Sequence, residues 1–183
     1  MRHTSHNRGF TLIEILVSIS IIALLSSVIL SATNSARKNA RDSRRISSVR
    51  ELQTGLELYY TENQHYPDSD GAGPSASGSW GVGNWDTPAN ATFLTPLVTG
   101  KYMQGHVDDP LGGSFQNNLR YFKFPAGSYG CPINRGPYYV LGVVDMETSV
   151  GRHQLSPGWA CPDFDFGDPD TGGFEFVVGK YEN

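Results

Sequence analysis

Proline and glycine are missing where they would interrupt a helix. No proline occurs before Pro67, and no glycine lies between Gly9 and Gly55. Both residues disfavour helix interiors, so their absence leaves the N-terminal part of the chain free to form one long helix. Cysteine is also scarce, with only Cys131 and Cys161 present. Their separation excludes the close cysteine pairs of a zinc site, and there is no glycine-rich phosphate loop. The histidines His3, His6, His65, His106 and His153 are scattered, so no catalytic constellation and no enzyme activity are expected. Charge is nearly absent from Phe10–Ala32, where Glu14 stands alone.

That apolar run is the most informative stretch. A helix of its length reaches ~35 Å, enough to cross a hydrocarbon core of ~30 Å. It follows a short polar leader, Met1–Arg8, that carries Arg2 and Arg8. A secretory signal peptide would have a shorter apolar core followed by its small cleavage-site residue. Here the run is longer and the small residue, Gly9, comes first. A plain membrane anchor accounts for the length but not for Glu14, since a carboxylate near the middle of an inserted helix costs roughly 2.5–3.5 kcal/mol.

The stretch Gly9-Phe10-Thr11-Leu12-Ile13-Glu14 resembles the processing site of type IV prepilins and type II secretion pseudopilins. The resemblance implies cleavage by a prepilin peptidase between Gly9 and Phe10 and methylation of the new Phe10 amine. It also gives Glu14 a role in assembly. Residue types, spacing and position in the chain all match together. Many major pilins carry a proline in the second half of the membrane segment, where this chain has Ser31. Ser18, Ser20, Ser26, Ser27 and Ser31 suit either close approach between helices or bonding to their own backbone.

Charge is distributed unevenly. Residues 33–50 carry six bases against one acid, Asp42, whereas residues 51–183 carry sixteen acids against six bases. Bases near a membrane span tend to stay cytoplasmic, which by charge alone would retain the C-terminal part inside. The processing site requires the leader on that side, and the resemblance therefore places the C-terminal domain outside. The basic run is read as a membrane-boundary feature meeting anionic headgroups or neighbouring acids. DNA binding is the disfavoured alternative, because the acidic remainder repels a polyanion.

Beyond the membrane segment, Ile46, Val49, Leu52, Leu56 and Tyr59 recur at spacings of three and four, an apolar stripe whose opposite side carries Arg45, Ser48 and Glu51. One helix from Phe10 to about Glu62, ending before Pro67, would be ~80 Å long. A loop region follows, with Trp80 and Trp85 expected to dock it. A short helix is expected near Phe93–Val98, and then the turn Asp109-Pro110-Leu111-Gly112. Strands are expected at Arg120–Phe124, Tyr138–Val144 and Phe174–Val178. The expected fold is α+β, pilin-like: a long N-terminal transmembrane helix continuing into a globular domain whose small antiparallel sheet packs on the helix. The expected divisions are 1–9 leader, 10–32 membrane segment, 33–62 helix continuation and 63–183 head.

Cys131 and Cys161 suit one disulfide in an exported domain, the alternative being two buried thiols. Asp163, Asp165, Asp168 and Asp170 supply oxygens of the kind that bind Ca²⁺, as some major pseudopilins do in a C-terminal loop. Pro169 breaks the spacing of an EF-hand, so a solvated acidic loop is the favoured reading and no cofactor is expected. The resemblance implies a filament subunit whose partners are identical or related pilin subunits, the prepilin peptidase, an assembly ATPase, an inner-membrane platform protein and membrane lipids. Its expected location is a single-pass membrane precursor, then a cell-envelope or extracellular filament. A surface pilus, a secretion pseudopilus and a membrane-anchored extracellular binding domain are the three uses such a chain can have.

Overall fold

A computed structural model describes residues 9–69, 85–87, 93–105, 107–112, 118–168 and 173–183. Helix α1 spans Leu12–Asn63, a stretch with no proline and with Gly55 as its one glycine. It ends where Gln64 takes a left-handed conformation and donates its N–H to the Tyr60 carbonyl at 2.8 Å. The stop therefore precedes Pro67 and is a backbone cap. The chain divides into two compact units, Met1–Lys38 and Asn39–Asn183.

In the first unit the apolar side chains from Phe10 to Leu30 stand in the open. This part of α1 is long and apolar enough to cross a membrane. Ser18 and Ser20 donate to the carbonyls of Glu14 and Leu16, and Ser27 donates to that of Leu24. In the single chain these hydroxyls are thus satisfied by their own helix.

The second unit is built on a three-stranded antiparallel sheet of order β1-β2-β5. Its strands are β1 (Leu119–Phe124), β2 (Tyr138–Val143) and β5 (Phe176–Tyr181). Leu119 pairs with Val143 and Phe124 with Tyr138; on the other side Tyr138 pairs with Tyr181 and Val143 with Phe176. The strand expected from Phe174 begins two residues later and runs on through Gly179. Phe174 instead bonds the Phe166 carbonyl, and its ring lies over Gly142.

Strand periodicity of two sorts the side chains into two cores. Tyr121, Tyr139, Leu141, Val143, Phe176 and Val178 face the stripe Ile46, Val49, Leu52 and Leu56 on α1. Helix α2 (Leu94–Thr99) closes this core with Leu94 and Leu97. On the opposite face, Phe124, Tyr138, Val140 and Val177 meet Trp85, Phe166, Phe174 and the two cysteines. Every residue of β2 is buried, which is why its sequence lacks polar alternation.

The second core needs a cover, and the two long connections supply it. They carry 3₁₀ turns at Ser128–Gly130 and Ile133–Arg135, and a short antiparallel pair, β3 (Ala160–Cys161) with β4 (Phe164–Asp165). The β3–β4 pair was not anticipated, because two-residue strands leave no periodic signal. Trp159 lies so close over Gly179 that a Cβ there would sit 2.3 Å from the indole ring. Trp85 docks edge-on against Phe174, as expected of a loop anchor. Trp80 and the leader Met1–Arg8 lie outside the described residues.

Candidate assembly site

The first turn of α1 is organised by Thr11 and Glu14. The Thr11 N–H donates to Glu14 Oε2 at 2.9 Å, and its hydroxyl does so at 2.7 Å. In return the Glu14 N–H reaches Thr11 Oγ1 at 3.3 Å. This reciprocal Thr-x-x-Glu arrangement is a capping box, which satisfies donors the first helical turn leaves open. The pattern is legible in the sequence, although Thr11 was not singled out. Glu14 thus has a local resting partner while remaining exposed. Phe10 beside it is 82% exposed. A Cβ placed on Gly9 would meet nothing within 4 Å among the described residues, so this glycine answers no packing need of the described chain.

The second organised cluster sits where α1 enters the second unit. Arg45 is only 3% exposed. Its guanidinium forks onto Asp109 through Nε at 2.7 Å and Nη2 at 3.0 Å. Its Nη1 donates to Asp42 at 2.6 Å and to Glu147 at 3.1 Å. Arg41 forks onto the same Glu147 at 2.6 and 2.5 Å. Asp42 also accepts the N–H groups of Glu147 and Thr148 and the Thr148 hydroxyl. Asp109 accepts the Leu111 N–H and an Asn118 amide N–H, the latter at 3.3 Å.

The sequence places Arg45 on the polar side of the helix; the structure buries it. A guanidinium goes inside when carboxylates meet its planar donors. Burial by itself would lower the Arg45 pKa, but the bonds to Asp109 and Asp42 outweigh it and raise it. Burial likewise works to raise Asp42 and Asp109. The Glu147 N–H and Thr148 hydroxyl overcome this for Asp42, as Arg45 and the Leu111 N–H do for Asp109, so both are lowered. The Arg41 fork lowers Glu147. The basic run therefore divides. Arg41 and Arg45 hold the domain together, whereas Arg37, Lys38, Arg44 and Arg50 are exposed and pair with no carboxylate among the described residues.

Cys131 and Cys161 form a disulfide that joins the two covering connections over the second core. The acidic loop does not gather around it. Asp165 accepts Arg152 at 3.0 Å and the Gly167 N–H at 2.9 Å, both through Oδ1. Asp163 offers its own N–H to the Tyr129 carbonyl. Asp170, like Pro169, lies outside the described residues. Among the described residues no group of three or more His, Cys, Asp or Glu side chains is placed to hold a metal ion, and Asp163, Asp165 and Asp168 do not form a cation cradle.

Comparison with known proteins fits this geometry. A family model described as the prokaryotic N-terminal methylation motif matches residues 4–30. The type II secretion system core protein G of Escherichia coli is 36% identical over 157 residues, 82% of this chain and 96% of its own length. Core protein G of Dickeya chrysanthemi is 32% identical, covering 82% of this chain and 89% of that protein. The type IV wide pilus major component PilA4 of Thermus thermophilus is 36% identical over 86 residues, 47% of this chain and 61% of that protein. No solved structure gave a significant match. A processing motif at the head of an exposed apolar helix, an antiparallel sheet packed on that helix, and near full-length similarity to core protein G lead to one conclusion: the chain belongs to the family of type II secretion pseudopilins and type IV pilins.

Proposed function

We propose that this protein is a structural subunit of a type IV pilus-like filament, not a catalyst. It is made as a membrane-anchored precursor with leader 1–9, membrane segment 10–32 and an extracytoplasmic C-terminal domain. A prepilin peptidase cuts between Gly9 and Phe10 and methylates Phe10. Mature subunits then polymerise through their apolar helices, driven by an assembly ATPase and a membrane platform protein. The observation that carries the reading is the Gly9–Glu14 motif at the head of an exposed helix. Packing in the described chain gives no reason for the glycine at position 9, so the reading rests on the motif.

Cleavage creates a new amine at Phe10, four residues from Glu14. An amine of this kind is protonated at neutral pH and attracts a carboxylate strongly in a low-dielectric setting. In the filament Glu14 leaves Thr11 and meets the Phe10 amine of a neighbour. The Glu14→Leu variant separates this from a plain anchor. Its membrane-fraction abundance holds or rises, because a charge leaves an apolar helix. Its sheared-filament yield collapses, because the neighbour's amine loses its partner. Normal filament yield from Glu14→Leu, or an intact Met1 terminus in filament-derived subunits, would overturn the reading.

A second reading, a pseudopilus acting in protein export, is favoured by one observation. The alignment spans 96% of core protein G of Escherichia coli but 61% of the PilA4 pilin. Deleting the gene and measuring both secreted enzymes and surface filaments separates the two uses.

A further inference from the structure

A polar groove in the second unit carries more acid than its own chain neutralises. It runs beside α1 with about 340 Å³ of open volume, lined by Arg44, Glu51, Gln104 and Asp108. Glu51 and Asp108 are exposed and join no ion pair among the described residues. Arg44 is the one cation lining the groove among the described residues, which leaves the lining one positive charge short of neutral.

The cation that fits it is on α1 itself. Arg37, Lys38, Arg44 and Arg50 are exposed and unpaired with carboxylates among the described residues. Arg37 and Lys38 belong to the first unit, which holds the membrane segment, so headgroups are within their reach. Arg44 already lines the groove. Arg50 is left. It is adjacent to Glu51 in sequence, so at 3.6 residues per turn the two side chains leave the helix about 100° apart. Glu57, two turns further along on the side of Arg50, is held by Lys180. The side chains flanking Arg50 on that side, Ser43 and Thr54, are short and exposed, so a facing surface can close on the guanidinium.

We propose that Arg50 of one subunit enters the groove of the next copy of this chain and lies between its Glu51 and Asp108. A guanidinium presents planar donors that match carboxylates, and one such group brings the lining to neutrality. Arg50 and the groove occupy different sides of the same molecule, so the contact is heterologous. Each copy gives its Arg50 to one neighbour and receives that of another, and the contact propagates with both ends open, as a filament requires. The inference rests on the filament reading and names the charges that join neighbouring copies within it.

The test is charge reversal in the full-length chain, expressed in its native membrane system, with sheared-filament yield as the readout. Arg50→Glu and Asp108→Arg are each expected to lower the yield about five-fold or more, because each sets like charges against one another at every contact. Combining the two is expected to return the yield to within about two-fold of the unsubstituted chain. Membrane-fraction abundance and protease resistance of the second unit are expected to hold in all three, since neither side chain has an ionic partner in its own copy. An independent measurement pairs Arg50→Cys with Asp108→Cys and adds a short bismaleimide. The pair is expected to give a ladder of covalent multimers, and each single variant none. Normal filament yield from either reversal, no return in the combined variant, or filaments without a ladder overturn this contact and leave the filament reading standing. Loss of yield in Arg50→Glu with Asp108→Arg unaffected is one such result, and it assigns Arg50 to lipid headgroups or another protein. Absence of filaments from the unsubstituted chain, with no ladder from the cysteine pair, overturns both.

Discussion

Replacing Arg45 by methionine tests whether the buried charge cluster holds the second unit together. The substitution keeps bulk and a flexible apolar stem but removes four donated hydrogen bonds, two to Asp109 and one each to Asp42 and Glu147. Asp42 and Asp109 have side chains only 4% exposed, so they cannot recover water without local opening. Removing one partner of a buried ion pair generally costs about 3–5 kcal/mol. Each carboxylate keeps other donors here: three for Asp42, two for Asp109, and the Arg41 fork for Glu147. The expected loss therefore lies at the lower end, about 3 kcal/mol. With a urea slope of about 2 kcal/mol/M for a domain of this size, the unfolding midpoint falls by about 1.5 M. The assay is urea unfolding of the full-length chain in detergent micelles, followed by intrinsic tryptophan fluorescence. Adding Asp109→Asn to Arg45→Met should return part of the loss, because the stranded charge is neutralised. A midpoint shift below about 0.3 M for Arg45→Met would refute the argument, since it corresponds to under about 0.6 kcal/mol.

The same cluster gives the second unit an acid limit. Asp42, Asp109 and Glu147 all have lowered pKa values in the fold, so their contribution is complete above the unfolded carboxylate pKa and is lost as pH falls through the lowered folded values. Thermal midpoints are expected to be flat from neutral pH down to about pH 5 and to fall below about pH 4, and a decline that begins near pH 6 would contradict this. Reduction of Cys131–Cys161 should lower stability by about 3–4 kcal/mol on the chain-entropy account, read as a lower melting temperature in reductant. Protein isolated without reductant should show no titratable thiol before that treatment, and two free thiols in it would remove the bridge from the native form.

The sequence alone determined the length and continuity of α1, because Leu12–Asn63 holds no proline and a single glycine, Gly55, so little in it interrupts a helix. It also determined the apolar stripe Ile46–Leu56 and the most strand-prone segment at Tyr138, since both follow from local periodicity and side-chain shape. The Gly9–Glu14 motif was legible for the same reason: all its residues lie within one and a half helical turns. Only the tertiary structure decided the fate of Arg45. Its partner Asp42 is one helical turn away, but Asp109 and Glu147 arrive from loops 64 and 102 residues along the chain. No local pattern reports that a solvent-facing cation will be covered by distant carboxylates. The second core was hidden in the same way. Trp85, Phe166, Phe174 and the Cys131–Cys161 bridge come from irregular segments with no period to read, and they meet because the back of the sheet is apolar and must be covered.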